Sequence, residues 1–218
     1  MPIPLSDDAV DSLWKVENRW KIYDASPYDQ TIVMDADMVV LEDISHWWNF
    51  LQKYDLFFTS NVKTYRDEFV TDDYYRKVFT KNDLPNIYTG LHYFKKSKTA
   101  EEYYSLLKII CKSWQEFYQQ CLPEHTPTRL SMDVAGALAI KILGIEHLVT
   151  SPQSAVTFTH MKSLIQNWRD AGNFWILQIK PFVNDSGDLK IGNYLQKGVF
   201  HYTEEDFLQT KGIENLYE

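Results

Sequence analysis

Two aspartates, Asp35 and Asp37, stand one residue apart directly after a short apolar and β-branched stretch, Thr31 to Met34. Such a stretch predicts a strand that ends at Asp35 and delivers both carboxylates to the carboxyl edge of a sheet, where α/β proteins bind ligands. Two hard oxygen ligands leave open positions on Mg²⁺ or Mn²⁺ for the oxygens of a diphosphate. The pattern therefore predicts a divalent-metal site, with a solvated aspartate pair at a turn as the alternative, because Asp-x-Asp is common.

Three further side chains are candidates for chemistry. Asp133 follows Ser131 at the start of an apolar helical stretch, where a carboxylate either faces a ligand or favours the positive end of the helix dipole. His160 and His201 each follow an apolar, strand-like stretch. Taken alone, a histidine after a strand is more often structural than a ligand.

These residues need a scaffold in which strands alternate with helices. Capping residues and apolar periodicity predict four helices: Asp8 to Tyr23, one after an N-cap at Ser45, one from a Thr99–Glu102 capping box to about Cys121, and Met132 to Leu143 between Ser131 and Gly144. The main predicted strands are Thr31 to Met34, Asp55 to Ser60, Ile87 to Phe94 with a bulge or close backbone approach at Gly90, and Ala155 to Thr159. A hairpin turn is predicted at residues 185–188. The fold class is α/β, with a mixed, mostly parallel sheet flanked by helices in a single domain over residues 1–218.

Composition narrows the classes of partner. The formal net charge of −8 and the pI of about 5.2 argue against a broad nucleic-acid interface. Cys111 and Cys121 stand ten residues apart in one predicted helix, roughly 15 Å, which is too far for a disulfide. No signal peptide and no apolar run of membrane-spanning length is visible, so we expect no membrane span and a cytoplasmic protein.

The stretch from Trp20 to Leu56 resembles the core of GT-A glycosyltransferases, especially the glycogenin-like and lipopolysaccharide-galactosyltransferase-like group. The features shared are a basic residue, a proline-containing turn, an apolar strand, Asp-x-Asp with a small middle residue, a short apolar run and an acidic-Ile element that opens a helix. In this chain they are Lys21, residues 26–29, Thr31 to Met34, Asp35-Ala36-Asp37, Met38 to Leu41, and Glu42-Asp43-Ile44. Weaker similarities at residues 86–94, 131–133 and 160–162 extend the resemblance to about His160.

The resemblance implies a metal-dependent transfer of a sugar from a nucleoside-diphosphate donor to a sugar, lipid or protein acceptor. In that group the two aspartates hold Mn²⁺ or Mg²⁺, and the first also approaches the nucleotide ribose. The metal role therefore passes to Asp37 and Asp35, and the ribose contact to Asp35. The group completes the site with a distant histidine. His160 is favoured over His201, because His160 is followed by Lys162, which resembles the lysine that meets the diphosphate.

Two other segments carry implied roles. Asn86 and Gly90 resemble the residues that line the donor-sugar pocket, although Tyr88 stands where the group usually has an asparagine. Asp133 resembles the acidic residue at a helix start that faces the transferred sugar, where it stabilises an oxocarbenium-like transition state or orients the acceptor.

Two alternatives stay open. Only 34 residues precede Asp35, fewer than the strand–helix–strand unit that holds the nucleotide base in these enzymes, so we expect either a domain truncated at its N-terminus, as in a fragment of a longer protein, or a base site that is reduced or supplied differently. We therefore also consider a non-catalytic carbohydrate-binding or structural protein on a reduced GT-A scaffold. A phosphohydrolase of the haloacid-dehalogenase type also opens with Asp-x-Asp, but there Gly-Thr usually follows where this chain has Met38-Val39.

Overall fold

The structure is a computed structural model that describes residues 16–70, 76–151, 154–213 and 216. It is a mixed α/β protein with several sheets. The described helices are α1 (Ile22–Ala25), α2 (Trp47–Leu51), α3 (Lys77–Lys81), α4 (Lys98–Lys112), α5 (Trp114–Cys121), α6 (Met132–Leu143), α7 (Glu146–Val149) and α8 (Trp175–Gln178), with 3-10 helices at Arg19–Lys21, Lys162–Leu164, Trp168–Asp170, Gly172–Phe174 and Phe207–Gln209. The described strands are β1 (Gln30–Met34), β2 (Met38–Val40), β3 (Leu56–Thr59), β4 (Lys63–Thr64), β5 (Tyr88–Lys95), β6 (Thr159–His160), β7 (Pro181–Val183), β8 (Leu189–Ile191), β9 (Tyr194–Leu195) and β10 (Val199–His201).

The described chain divides into two compact units, each built from three separate stretches. The first unit takes residues 16–33, 49–60 and 76–151, and the second takes residues 34–48, 61–70, 154–213 and 216. Each unit has its own apolar core. Tyr103, Phe79 and Ile140 are central to the core of the first unit, and Trp175, Phe200 and Phe207 to that of the second. None of the helices that the structure describes has both the length and the apolar character needed to cross a bilayer.

The first unit contains a three-stranded sheet in the order β1-β5-β3. β3 and β5 are antiparallel, and their register shifts between Phe58, which pairs with His92, and Thr59, which pairs with Tyr88. Gly90 lies in the stretch of β5 that this shift leaves out of the regular ladder, as expected for a glycine that interrupts a strand pattern. Helix α6 packs closely on this sheet and on α4: a Cβ placed on Gly136 would lie 3.0 Å from the Thr89 methyl group of β5 and 2.8 Å from the Tyr103 hydroxyl of α4.

The second unit contains a four-stranded sheet in the order β2-β10-β6-β4 and an antiparallel three-stranded sheet, β7-β8-β9. In the four-stranded sheet β10 is antiparallel to β2 but parallel to β6, and β6 is parallel to β4. This sheet is therefore mixed, as predicted, and its parallel pairs are the two-residue stretches that β6 forms with β10 and with β4. The predicted hairpin turn at residues 185–188 does connect two antiparallel strands, β7 and β8.

Capping chemistry decides where the helices begin and end. Ser131 accepts a hydrogen bond from the Val134 amide, and α6 ends at Gly144 with φ 66°, which confirms both predicted caps. Helix α4, in contrast, is capped by Ser97, whose hydroxyl accepts from the Ala100 amide. The predicted cap, Thr99, lies inside the helix and donates its hydroxyl to the Asp55 carboxylate instead.

Two other predicted elements are shorter than expected. The helix predicted to reach Cys121 is divided at Ser113, where φ and ψ of −128° and 33° separate α4 from α5. The strand predicted over Ala155 to Thr159 pairs in a sheet only from Thr159. Before it, the Val156 amide donates to the Ser154 hydroxyl and the Thr157 hydroxyl donates to the Asn61 carbonyl, so local bonds take the place of a strand ladder. The helix predicted from Asp8 falls largely outside the described residues.

A buried histidine makes the stability of the protein pH-dependent. His92 is 6% exposed, and its ring nitrogens lie 2.8 Å from the Thr89 carbonyl oxygen and 2.7 Å from the Tyr104 hydroxyl. Burial lowers the pKa of His92 from 6.5 to about 4. Between these values the unfolded chain takes up a proton that the folded chain does not, so the free energy of unfolding falls as the pH drops, by about 3 kcal/mol in total.

We expect His92→Gln to remove most of this pH dependence, because glutamine keeps a donor and an acceptor but does not titrate. Urea unfolding of the wild type and the variant at pH 7, 5.5 and 4.5 measures the effect. The wild type should lose stability faster than the variant as the pH falls, whatever the two stabilities are at pH 7. Parallel pH profiles would contradict the assignment.

Candidate metal centre

The Asp-x-Asp segment forms a tight turn directly after β1. The Met38 amide donates to the Asp35 carbonyl oxygen at 3.1 Å, which closes a four-residue turn over residues 35–38. Side chains two residues apart lie on the same face of a strand but about 7 Å from each other, and a turn can bring them closer together. The turn therefore allows Asp35 and Asp37 to face one site, as the sequence predicted.

Strand β10 holds this turn in place. β10 pairs with β2 so that His201 lies opposite Met38, the residue that follows Asp37. Directly after His201, the Tyr202 amide donates to the Asp37 carbonyl oxygen at 3.0 Å and the Tyr202 hydroxyl donates to the Ala36 carbonyl oxygen at 3.3 Å. Main-chain pairing thus fixes the histidine beside the two aspartates.

The three side chains form a cluster suited to a metal ion. One ligand atom from each of Asp35, Asp37 and His201 lies within 4.8 Å of the other two. His201 Nε2 is 2.9 Å from a carboxylate oxygen of Asp37, and the two side chains are 16% and 40% exposed. The ring of Phe158 packs edge-on against the imidazole with centroids 5.6 Å apart, which restricts its rotation. Two carboxylates and one imidazole that are partly open to solvent leave room for further ligands.

A strained turn follows His201 in the chain. Thr203 has φ 63°, a left-handed conformation that a β-branched residue rarely adopts. The Glu204 amide donates to the Tyr202 carbonyl oxygen at 2.8 Å, which closes a three-residue turn around Thr203. Backbone strain of this kind costs about 1–3 kcal/mol and is concentrated at functional sites. No signal in the sequence marks Thr203 as strained.

The cluster contains His201 and not His160, the histidine favoured from the sequence. His160 is 6% exposed and lies in β6, on the far side of β10 from β2. Its register partner on β10 is His201, so the two histidines are neighbours across one strand pair. The order of the strands decides between them, because only β10 is adjacent to the strand that leaves the Asp-x-Asp turn.

Lys162 begins the 3-10 helix after β6, in the same unit as the cluster. Its ammonium group lies 4.0 Å from the centroid of the Trp168 ring. Burial raises the pKa of Glu204, as do the neighbouring Asp206 and Glu205, while Lys162 lowers it. The lysine therefore belongs to a partly charged surface that includes the turn after His201, and its predicted contact with a diphosphate stays a prediction.

The remaining predicted residues form a separate group in the first unit. The Asp133 carboxylate accepts from Arg76 at 2.7 Å through one oxygen, and from the Thr89 amide and hydroxyl, both at 2.8 Å, through the other. Arg76 also donates to the Asn86 side chain at 3.2 Å and to the Ile87 carbonyl oxygen at 2.8 Å. These bonds hold Asp133 in one orientation as a fixed anion.

Sequence reasoning missed Arg76, which lies in a stretch that reads as a polar surface excursion. Its side chain is only 2% exposed, and the guanidinium lies 3.4 Å from the centroid of the Tyr88 ring. Tyr88, the residue that departs from the family pattern, thus stacks on the arginine that orients both Asn86 and Asp133. An arginine with partners so distant in the chain leaves no local pattern, so only the structure reveals it.

The choice between the two histidines can be measured directly. We expect His201→Ala to weaken Mn²⁺ binding by about tenfold or more, since the variant removes one ligand. His160→Ala should leave the affinity within about threefold of the wild type, because it alters a buried neighbour and removes no ligand. Isothermal titration of both purified variants with MnCl₂ at pH 7.5 checks the order. The reverse order would return the third position to His160.

Comparison with protein-family models, with curated proteins and with solved structures found no match to this chain.

Proposed function

We propose that the protein is a metal-dependent glycosyltransferase that takes a sugar from a nucleoside-diphosphate donor. The observation that carries the proposal is the Asp35–Asp37–His201 cluster, with its ligand atoms within 4.8 Å of one another at a turn that follows an apolar strand. The sequence resemblance to GT-A glycosyltransferases supports the same reading, since that group combines an Asp-x-Asp pair with a distant histidine.

The donor set favours Mn²⁺ over Mg²⁺. Mg²⁺ is bound mainly by oxygen and keeps several of its waters, whereas a site with an imidazole suits ions further along the transition series. His201 supplies a nitrogen that already lies 2.9 Å from Asp37, so the cluster can close on an ion with small side-chain adjustments. When bound, the metal would neutralise the negative charge that develops on the leaving nucleoside diphosphate.

The residues of the chain have distinct parts in this proposal. Asp35 and Asp37 bind the ion, and Asp35 also approaches the nucleotide. His201 is held in orientation by Phe158 and by the pairing of β10 with β2. Lys162 contributes a positive charge for the diphosphate. Asp133 lies in the first unit, where Arg76 and Thr89 hold its carboxylate in one orientation, and the role toward the transferred sugar or the acceptor that the resemblance implies for it stays a prediction.

A test needs no knowledge of the acceptor, because sugar transferases of this kind also transfer to water slowly. The purified protein is incubated with a panel of UDP-, GDP-, ADP- and dTDP-sugars, with MnCl₂, with MgCl₂ or with EDTA, and the nucleotide products are separated by chromatography. We expect one donor to release nucleoside diphosphate and free sugar with Mn²⁺, more slowly with Mg²⁺ and not with EDTA.

Two outcomes would contradict the proposal. Release of inorganic phosphate from phosphomonoesters, with no nucleoside diphosphate from any donor, would favour the phosphohydrolase. Metal binding without turnover of any donor, together with binding of glycans, would favour a carbohydrate-binding protein.

A further inference from the structure

A cleft of about 280 Å³ opens in the second unit, and its lining contains none of the three residues of the metal centre. Its lining includes Tyr65 and Arg66 from the segment after β4, Ile179 and Lys180 from the segment before β7, Ile191 at the end of β8, and Tyr194 at the start of β9. Pockets for drug-sized ligands run from about 300 to 1,000 Å³, so this cleft matches a ligand of one ring.

Two tyrosines and two buried isoleucines are among the residues that line the cleft. The rings of Tyr65 and Tyr194 meet edge-on, with centroids 5.9 Å apart and an angle of 75° between their planes. Tyr65 is only 7% exposed, whereas Tyr194 is 45% exposed and offers a ring to the solvent side. Ile179 and Ile191, both at most 2% exposed, add apolar surface to the lining. Such a surface suits a ligand with one apolar face.

A buried glutamine fixes the positions of both tyrosines. The side-chain amide of Gln196, which is 4% exposed, donates to the Tyr65 carbonyl oxygen at 3.0 Å and to the Tyr194 carbonyl oxygen at 3.1 Å. Its own oxygen accepts from the Thr159 hydroxyl at 3.0 Å. These three hydrogen bonds hold the buried Gln196 side chain and the main chain at Tyr65 and Tyr194 in fixed positions. The cleft is therefore preorganised.

The rim of the cleft carries positive charge. Arg66 lies with its guanidinium carbon 5.4 Å from the Tyr65 ring centroid and donates from Nε to the Tyr65 hydroxyl at 3.3 Å. Lys180 is exposed. In the part of the chain that the structure describes, neither cation has a carboxylate within ion-pair distance, although Glu68 acts on Arg66 at longer range. Arg66 keeps donors in its planar fork for an anionic group.

We infer that this cleft binds a single sugar ring that carries an anionic group, either a carboxylate or a phosphate. The C–H face of a pyranose packs against a tyrosine ring, and the anionic group meets Arg66 and Lys180 at the rim. This binding is independent of the metal centre. Only its use as the acceptor end of the reaction rests on the proposed function.

The experiment measures binding alone, in low-salt buffer with EDTA and without nucleotide, so that its result is separate from transferase activity. Saturation-transfer NMR titrations with glucuronate, glucose 6-phosphate, glucose and acetate compare a charged sugar with a neutral sugar and a bare anion. We expect the two charged sugars to bind at least about tenfold more tightly than glucose or acetate, since a charge-assisted contact with arginine adds to the ring contact.

Variants locate the binding to the cleft. Arg66→Gln and Lys180→Gln should each reduce the preference for the charged sugars, whereas Lys211→Gln, the same change at an exposed lysine outside the cleft, should not. Tyr194→Ala should weaken the binding of charged and neutral sugars alike. Equal binding of glucuronate and glucose, equal binding of glucuronate and acetate, no binding of any charged sugar, or an equal effect of Lys211→Gln would each overturn the inference.

Discussion

Asp37→Ala is expected to abolish the stabilisation of the protein by Mn²⁺. An ion that binds only the folded state at one hundred times its dissociation constant adds about 2.7 kcal/mol to the free energy of unfolding, or roughly 5–10 °C in the unfolding midpoint for a chain of this size. Asp37 supplies a ligand and is also the 2.9 Å partner of the His201 imidazole. Its loss removes a carboxylate and leaves the histidine without its neighbour on the turn.

The metal-free protein should tolerate this change. The Asp37 side chain is 40% exposed, and exposed ion pairs contribute about 0–1 kcal/mol, while its carbonyl oxygen still accepts from Tyr202. Thermal unfolding of the wild type, Asp37→Ala and Asp185→Ala, with EDTA and with MnCl₂, separates the two effects. Asp185→Ala removes an exposed carboxylate in the β7–β8 turn and should keep the full increment. An increment that survives in Asp37→Ala would place the ion elsewhere.

The same variant should reduce Mn²⁺-dependent release of nucleoside diphosphate by about 10²-fold or more, since one ligand of the ion is lost from the site where charge develops. Asp185→Ala should retain the activity of the wild type. An Asp37→Ala protein that keeps its turnover but has lost the thermal increment would separate the metal from the chemistry and contradict the proposed function.

Arg76→Met is expected to destabilise the protein by about 3–5 kcal/mol, which is the cost of breaking a buried ion pair at one partner. Arg76 is 2% exposed and donates to Asp133, Asn86 and the Ile87 carbonyl oxygen. Methionine can still pack on the Tyr88 ring, but it leaves the Asp133 carboxylate, 18% exposed, without its counter-charge.

The double variant Arg76→Met/Asp133→Asn should recover part of this loss, because asparagine removes the uncompensated charge and keeps an oxygen for the Thr89 amide. Urea unfolding of the wild type, both single variants and the double variant gives the coupling energy between the two residues. Additive effects would mean that the ion pair contributes little and that Asp133 owes its position to Thr89 and the α6 cap alone.

The positions of Asp35 and Asp37 could be predicted from the sequence because the information is local. An apolar strand that stops at an aspartate requires a turn, and the turn is formed within four residues. The start of α6 was predictable for the same reason, since Ser131, Asp133 and Gly144 act on the helix from within or beside it. The bulge at Gly90 follows from the missing side chain in the pattern of β5.

The identity of the histidine could not be predicted, since it depends on which strand lies next to β2. His160 and His201 both follow strands in the sequence, and the strand order β2-β10-β6-β4 separates them by one place. Arg76 was hidden for a similar reason: its partner Asp133 is 57 positions away in the chain. Long-range pairing energies, rather than local propensity, determine both, and a single sequence carries no direct record of them.

The hydrogen bond between Tyr202 and Ala36 joins residues 166 positions apart. During synthesis the two aspartates therefore leave the ribosome long before the His201 imidazole, and an ion captured early would be held by carboxylates alone. Once β10 has paired, a bound ion acts as a reversible cross-link across this span. Closing this loop costs conformational entropy, which grows with the logarithm of the loop length. Because the pairing of β10 with β2 already closes the loop, the ion meets little of that entropic cost. Mn²⁺ should thus slow unfolding and leave the rate of refolding nearly unchanged, because the ion acts after the slow, long-range pairing step.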